Sequence, residues 1–68
     1  MAVAKVSEIK ASSPKSFDDA IQQGLTRANK TLRNIRSAWI SDFEVITDNE
    51  GRITEYRVLM KVTFVLED

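Results

Sequence analysis

The sequence predicts an α+β fold with the element order β-α-β-β, in which a three-stranded antiparallel sheet wraps on one amphipathic helix. Apolar residues recur at helical spacing between Phe17 and Ile35, and residues Tyr56 to Leu66 alternate with the period of a strand. One helix covers only one face of such a sheet. We therefore expect the other face to contact further copies of the chain, a flat ligand, or both.

The first strand is predicted over Ala2 to Ala11 and is expected to end at Ser12-Ser13-Pro14, where polar turn residues precede a fixed proline dihedral. Ser16 is expected to cap the helix, because its hydroxyl can accept a hydrogen bond from the Asp19 backbone amide. A start at Ser13, with Pro14 in the first turn, is the alternative and would lengthen the helix by three residues.

The helix is predicted from Phe17 to Ile35, about five turns at 3.6 residues per turn. Its apolar face consists of Phe17, Ala20, Ile21, Gly24, Leu25, Ala28, Leu32 and Ile35. Gly24 lowers helix propensity by about 1 kcal/mol relative to alanine. Its position on this face predicts a close approach of the helix to the sheet.

The second and third strands are predicted over Trp39 to Thr47 and Tyr56 to Leu66 and form a hairpin. Asp48 to Gly51 is the turn between them, with a positive φ expected at Asn49 or Gly51. In the second strand the alternation assigns Trp39, Phe43 and Val45 to one face and Ile40 and Ile46 to the other. In the third strand it assigns Arg57, Leu59, Lys61, Thr63 and Val65 to the face away from the helix.

Length and composition exclude several classes of protein. The 68 residues are expected to form one domain, 1–68, and they contain no cysteine or histidine. Disulfides, Cys/His zinc sites and the commonest catalytic base are therefore excluded, and no catalytic motif remains to suggest an enzyme. The formal net charge of zero gives no electrostatic reason to expect nucleic acid or a membrane surface as a partner. We expect a soluble cytoplasmic protein that is stabilised by self-assembly.

Three side chains are candidates for ligand binding. Trp39 can stack on a planar ligand, or it can fill a core or subunit interface. Arg57 and Lys61 can bind phosphate or a carbonyl-rich ring, or they can pair with carboxylates such as Glu44 and Glu55. The sequence leaves both alternatives open for each residue.

An acidic cluster surrounds the predicted hairpin turn and consists of Asp42, Glu44, Asp48, Asn49 and Glu50. Its oxygen atoms could bind calcium, but the residues lack the spacing of an EF-hand loop. A solvated turn is the simpler interpretation.

Several segments of the chain resemble the dodecins. They are Glu8 to Ile21, Arg27 to Arg33, Tyr56 to Val58, and the closing Phe64-Val65-Leu66-Glu67-Asp68. The resemblance extends over nearly the whole chain and includes the order of the elements. The Asn-Ile-Arg stretch and the Gly-x-Ile-Thr end of the hairpin are also similar to a calcium-associated branch of the family.

The resemblance implies a hollow homododecamer with its helices outside. It also implies storage of a flavin (riboflavin, FMN or FAD) whose ring stacks on a tryptophan of strand two and accepts hydrogen bonds from a glutamine of strand three. Some members also bind coenzyme A. Carried over to this chain, Trp39 is the stacking residue and Arg57 stands in place of the glutamine.

The chain departs from the family pattern near Trp39. Flavin-binding members read Trp-Phe-Glu-Val, whereas here Ile40, Ser41 and Asp42 separate Trp39 from Phe43-Glu44-Val45. Counting back from Tyr56 without a gap places Ala38 at the tryptophan position, and an offset of one residue reverses the face of a strand. A flavin-free assembly that binds a cation such as calcium is the alternative function. A small module that adds a strand to a partner is a third.

Overall fold

A computed structural model describes residues 3–66 and contains β1 (Ala4–Ser13), α1 (Phe17–Ala28), β2 (Ile35–Thr47) and β3 (Ile53–Val65). The strands form one antiparallel sheet in the order β1-β3-β2, so that β3 is central and both other strands are edges. The predicted β-α-β-β architecture is confirmed. The predicted strand start at Ala2 and the closing residues 67–68 lie outside the described residues.

The strand β1 continues two residues past its predicted end at Ala11, because its pairing with β3 extends to Ser13 opposite Tyr56. Ser13 is buried, and its hydroxyl donates to Asp19 Oδ2 at 2.6 Å while it accepts from the Lys15 amide at 2.9 Å. The serine therefore ties the end of β1 to the first turn of the helix.

The helix α1 begins at Phe17, as predicted from the cap at Ser16. The Ser16 hydroxyl accepts a hydrogen bond from the Asp19 amide at 2.9 Å, and its own backbone is extended. The alternative start at Ser13 is wrong, since that residue belongs to β1.

The predicted helix end at Ile35 is wrong, because α1 ends at Ala28. Beyond it the amides of Lys30 and Thr31 donate to the carbonyls of Arg27 and Ala28 in tight turns. Asn34 then takes a positive φ of 61°, which reverses the chain into β2. Leu32 and Ile35 still pack against the core, although neither is helical.

The core lies between α1 and the sheet and is centred on Ala20, Val58, Met60 and Val62, all buried. Gly24 permits the close approach that was predicted. A Cβ at this position would lie 2.7 Å from Met60 Cε and 2.8 Å from Ala11 Cβ, distances that real Cβ atoms do not show.

The strand β2 begins at Ile35, four residues before the predicted start at Trp39, and contains an irregularity between Ile40 and Asp42. Ser41 is the extra residue of this β-bulge, and its hydroxyl donates to the Leu59 carbonyl at 3.1 Å. The predicted grouping of Trp39 with Phe43 is therefore wrong. Phe43 is opposite Val58 on the helix side, and Trp39 is opposite Lys61 on the other side.

The hairpin turn has its positive φ at Gly51, 80°, one of the two predicted positions. The strand β3 starts at Ile53 rather than Tyr56, because its pairing with β2 extends closer to the turn than the alternation indicates. It ends at Val65 rather than Leu66. Within residues 3–66, no helix is long and apolar enough to cross a membrane.

Candidate functional site

The candidate site lies on the sheet face that points away from α1, which we call the open face. Cross-strand register groups its central side chains into three rows. The rows are Ser12-Arg57-Glu44, Lys10-Leu59-Asp42 and Glu8-Lys61-Trp39. The open face thus combines two apolar surfaces, Leu59 and Trp39, with charges of both signs.

Trp39 reaches the open face because of the bulge at Ser41. Its side chain is 73 % exposed, the largest exposure among the large apolar residues that the structure describes. The Nζ atom of Lys61 lies 6.0 Å from the centroid of the Trp39 ring, at the outer limit of a cation–π contact. The ring is therefore an exposed flat surface with a cation at one side.

Arg57, the second predicted site residue, is also on the open face, but its guanidinium is engaged within the chain. Its Nε and Nη2 donate to the two carboxylate oxygens of Glu55, at 3.1 and 3.4 Å. This hydrogen bond, with a further one from Ser12, lowers the pKa of Glu55, and the same contact raises the pKa of Arg57. Glu44 lies directly across from Arg57 on β2 and adds to the negative field around it.

The structure places Trp39 and Arg57 on one face but does not bring them into contact. Lys61, which lies opposite Trp39, is four residues from Arg57 on β3. The two positions are therefore about 13 Å apart along the strand, at roughly 3.3 Å per residue. The space beside Arg57 is a shallow hollow of about 360 Å³, whose lining includes Lys10, Asp42 and Leu59. A single ligand reaches both residues of one chain only if it lies along β3.

The acidic residues of the hairpin turn are held by an arginine of the same turn. The Asp48 carboxylate accepts hydrogen bonds from the backbone amides of Arg52 and Glu50. These two bonds lower the pKa of Asp48, and the bond from Arg52 has the larger effect. The Arg52 guanidinium also pairs with Asp48 at 3.1 Å and with Glu50 at 3.0 Å. In residues 3–66 no three acidic side chains are grouped to hold a metal ion.

The helix side of β2 carries a second exposed apolar surface, which the sequence did not predict. The helix packs on β1 and β3. It reaches β2 through Phe17, whose ring meets the Phe43 ring edge-on at 5.0 Å. Phe43 remains 59 % exposed and Val45 40 % exposed.

Sequence reasoning missed that Lys61 lies directly opposite Trp39 and that Asp42 shares a face with Trp39. A signal was present in the spacing of the apolar residues. The apolar residues Ala38 and Ile40 are two apart, as are Phe43 and Val45, but three positions separate Ile40 from Phe43. An odd step inside a period-two series is the pattern of a bulge.

A family model described as Dodecin matches residues 3–67. A dodecin of Thermus thermophilus is 37% identical over 67 residues, with 97% of this chain and 94% of the relative covered. The calcium dodecin of Mycobacterium tuberculosis is 34% identical over 64 residues, covering 94% and 89%. Its crystal structure, described as having a calcium-binding site, matches with a TM-score of 0.81 and 31% identity over 96% of this chain and 91% of that one. The structure of a dodecin from Streptomyces davaonensis matches with a TM-score of 0.92 and 31% identity, covering 98% and 97%.

Proposed function

The chain belongs to the dodecin family, and from this premise we propose that it binds and sequesters a flavin without catalysing a reaction. The observation that supports the proposal is the exposure of Trp39, the sole tryptophan, on the open face. An indole ring that is 73 % exposed leaves a large apolar area in contact with water, which is unfavourable in a chain this small unless a flat partner covers the ring.

Stacking on Trp39 is the main contact in this proposal. Aromatic pairs stack offset or edge-on and gain about 0.5–1.5 kcal/mol beyond the burial of their area. Three residues separate Trp39 from Phe43-Glu44-Val45, and Ser41 among them is the unpaired residue of the bulge. Trp39 therefore lies opposite Lys61 on the open face despite the departure from the family spacing. Riboflavin, FMN and FAD share the three-ring system that would stack here.

Arg57 is the second contact in this proposal and would donate to a carbonyl of the flavin ring. Its planar fork of donors suits a carbonyl or carboxylate. The fork is bound to Glu55 in the single chain, so a ligand must share it or displace Glu55. Because Trp39 and Arg57 of one chain are separated along β3, the ligand would lie along that strand or between two copies of the chain.

We also propose that the chain assembles as the hollow homododecamer implied by the resemblance. The radius of gyration is 14.0 Å, whereas a compact domain of this length has about 11 Å. The exposed apolar side chains of Phe43 and Val45, on the helix side of β2, would be covered by neighbouring copies, whereas Trp39 on the open face would be covered by the flavin. Light scattering is expected to give about 92 kDa, twelve times 7.7 kDa. A monomer would contradict this assembly.

The test of flavin binding is a fluorescence titration of ligand-stripped protein against riboflavin, FMN and FAD in parallel. Stacking on an electron-rich indole is expected to quench flavin emission to saturation. Trp39→Ala should abolish the quenching. Phe43→Leu is the matched control, because it alters an exposed aromatic ring of the same strand on the opposite face. If none of the three flavins is quenched, the chain has kept the family fold without a flavin site.

Cation binding by a flavin-free assembly is the second candidate, and the calcium dodecin among the relatives favours it. In this chain Arg52 already occupies Asp48 and Glu50, so a calcium ion at the turn would have to displace a guanidinium. We therefore rank the flavin first. Calorimetric titration with calcium chloride tests the alternative, and Arg52→Met should strengthen binding if the turn is the site.

Binding of coenzyme A and a cytoplasmic location stay predictions. Coenzyme A belongs in the same titration series, as a competitor that lowers flavin quenching if the two ligands share the open face.

A further inference from the structure

Lys61 is placed to influence which ligand Trp39 accepts. It lies directly opposite Trp39 on β3, and directly opposite Glu8 on its other side. Such cross-strand neighbours have Cβ atoms about 4.5–5.5 Å apart, so the ammonium group can reach either of them. It lies over the Trp39 ring, with Nζ 6.0 Å from the centroid.

The charge of Lys61 is not neutralised by an ion pair in the part of the chain that the structure describes. The ion pairs among those residues join Arg52 to Asp48 and Glu50, and Arg57 to Glu55. Lys61 is exposed on the open face, and its Nζ atom faces the Trp39 ring. The Lys61 ammonium forms no ion pair with the neighbouring Glu8 within residues 3–66, and it therefore stands as a positive charge beside the proposed stacking surface.

A ring that stacks on Trp39 takes the space above the indole that the ammonium group now faces. The flexible four-carbon stem of Lys61 lets the ammonium move to the rim of the bound ring while staying close to it. A compact, strongly hydrated ammonium at that position favours an oxyanion such as phosphate, whose charge-assisted hydrogen bonds are stronger than those of a neutral hydroxyl.

We propose that Lys61 is a specificity-determining residue that makes the Trp39 site prefer a flat aromatic ligand carrying a phosphate over the same ligand without one. The proposal rests on the proposed flavin binding and names its ligand class: FMN is bound more tightly than riboflavin. These two molecules have the same ring and sugar chain and differ only in the phosphate, so their affinity ratio isolates the contribution of that group.

The test measures dissociation constants for FMN and riboflavin by fluorescence quenching in four proteins. The wild type is expected to prefer FMN by about fivefold, the upper range for an exposed charge pair. Lys61→Met should remove this preference and leave the riboflavin constant nearly unchanged. Lys61→Arg should retain the preference, since it keeps the charge. Raising the salt concentration should reduce the preference in the wild type, because exposed charges are screened.

Lys5→Met is the matched control. Lys5 is an exposed lysine on β1, opposite Phe64 on the helix side of the sheet, so its replacement removes the same charge from the other face. It should leave the ratio of the two constants unchanged. Light scattering checks that each variant assembles as the wild type does, and Lys61→Gln replaces Lys61→Met if the latter does not.

An unchanged FMN preference in Lys61→Met would overturn the inference, as would an equal loss of affinity for both ligands, which would mean that Lys61 contacts the ring alone. If Trp39→Ala abolishes binding while Lys61→Met leaves the ratio intact, this inference fails and the proposed function stands. If the wild type binds neither FMN nor riboflavin, both fail.

Discussion

Trp39 and Phe43 are four residues apart on β2 and point to opposite faces of the sheet. In a regular strand an even separation places two side chains on the same face. The bulge at Ser41 reverses this relation, so that one strand presents an exposed aromatic ring on each side. Both exposed rings are therefore available to partners.

Deleting Ser41 should leave flavin binding intact. The deletion places Trp39 and Phe43 three positions apart, and an odd separation puts two side chains on opposite faces of a regular strand, so Trp39 stays on the open face without a bulge. The dissociation constant is expected to change by less than about twofold, because the stacking contact is kept. Fluorescence titration measures the binding, and iodide quenching of the sole tryptophan reports its exposure. Ser41→Ala is the control, because it keeps the bulge and removes only the hydrogen bond to the Leu59 carbonyl. Loss of flavin binding in a deletion variant that still assembles would contradict this account of the bulge.

Phe43→Glu should disrupt assembly. Phe43 is 59 % exposed in the single chain, and a carboxylate buried there between copies would lose its hydration without gaining a partner. Light scattering is expected to show smaller species than the wild type. Because Phe43 also contacts Phe17, Val45→Glu serves as a second variant that leaves this aromatic contact in place. Thr47→Glu adds the same charge at the end of the strand and should assemble normally. An intact assembly in both Phe43→Glu and Val45→Glu would exclude this surface from the interface.

Gly24→Ala should destabilise the protein even though alanine favours the helix. The new methyl group would overlap Met60 Cε and Ala11 Cβ. Overpacking of this kind costs about 1–3 kcal/mol, whereas the gain in helix propensity is about 1 kcal/mol. Urea unfolding at one fixed protein concentration should show a net loss of up to about 2 kcal/mol. Gln22→Ala, on the exposed side of the same helix, should change the stability by less than about 0.5 kcal/mol. A Gly24→Ala variant more stable than the wild type would refute the close approach.

Arg57→Met should raise the pKa of Glu55 towards its ordinary value of 4.5, because the hydrogen bond from Arg57 is the main cause of its lowered pKa. A carboxyl group whose pKa is lowered by folding stabilises the folded state above its ordinary pKa, and this contribution is lost as the pH falls through the lowered value. The advantage of the wild type over Arg57→Met should therefore be present at neutral pH and disappear in acid. Carbon-13 NMR titration measures the pKa directly. Asp48 is the internal control, since its pKa is lowered by contacts with Arg52 and Glu50 and should not move.

The sequence predicted the architecture because its strongest patterns are local. The cap at Ser16 depends on a residue three positions away, and the alternation of β3 follows from its central position in the sheet. The helix end was predicted wrongly because Leu32 and Ile35 continue the helical spacing of apolar residues. Turns after Ala28 deliver both side chains to the core, and spacing alone cannot distinguish this from a longer helix.

The candidate site was predicted only in part, because its geometry depends on pairing between strands. Trp39 and Arg57 were both expected at the ligand, and both lie on the open face. Which neighbours they have is decided by the cross-strand register, and register shifts at the bulge. The partner of Arg57, Glu55, was among the alternatives, whereas the position of Lys61 beside Trp39 needed the register as well as the alternation.

The central position of β3 has a consequence for how the chain folds during its synthesis. The strand β1 is made first, yet its partner is the last strand, with Ala4 paired to Val65. The nascent chain therefore has no sheet until β3 emerges, and the apolar side chains of β1 and α1 stay without a sheet to pack on until then. Contacts so distant in sequence slow folding, because the entropy of closing the loop is lost before any pairing is gained. A chaperone that binds exposed apolar segments would meet this protein in that interval, before its sheet has formed.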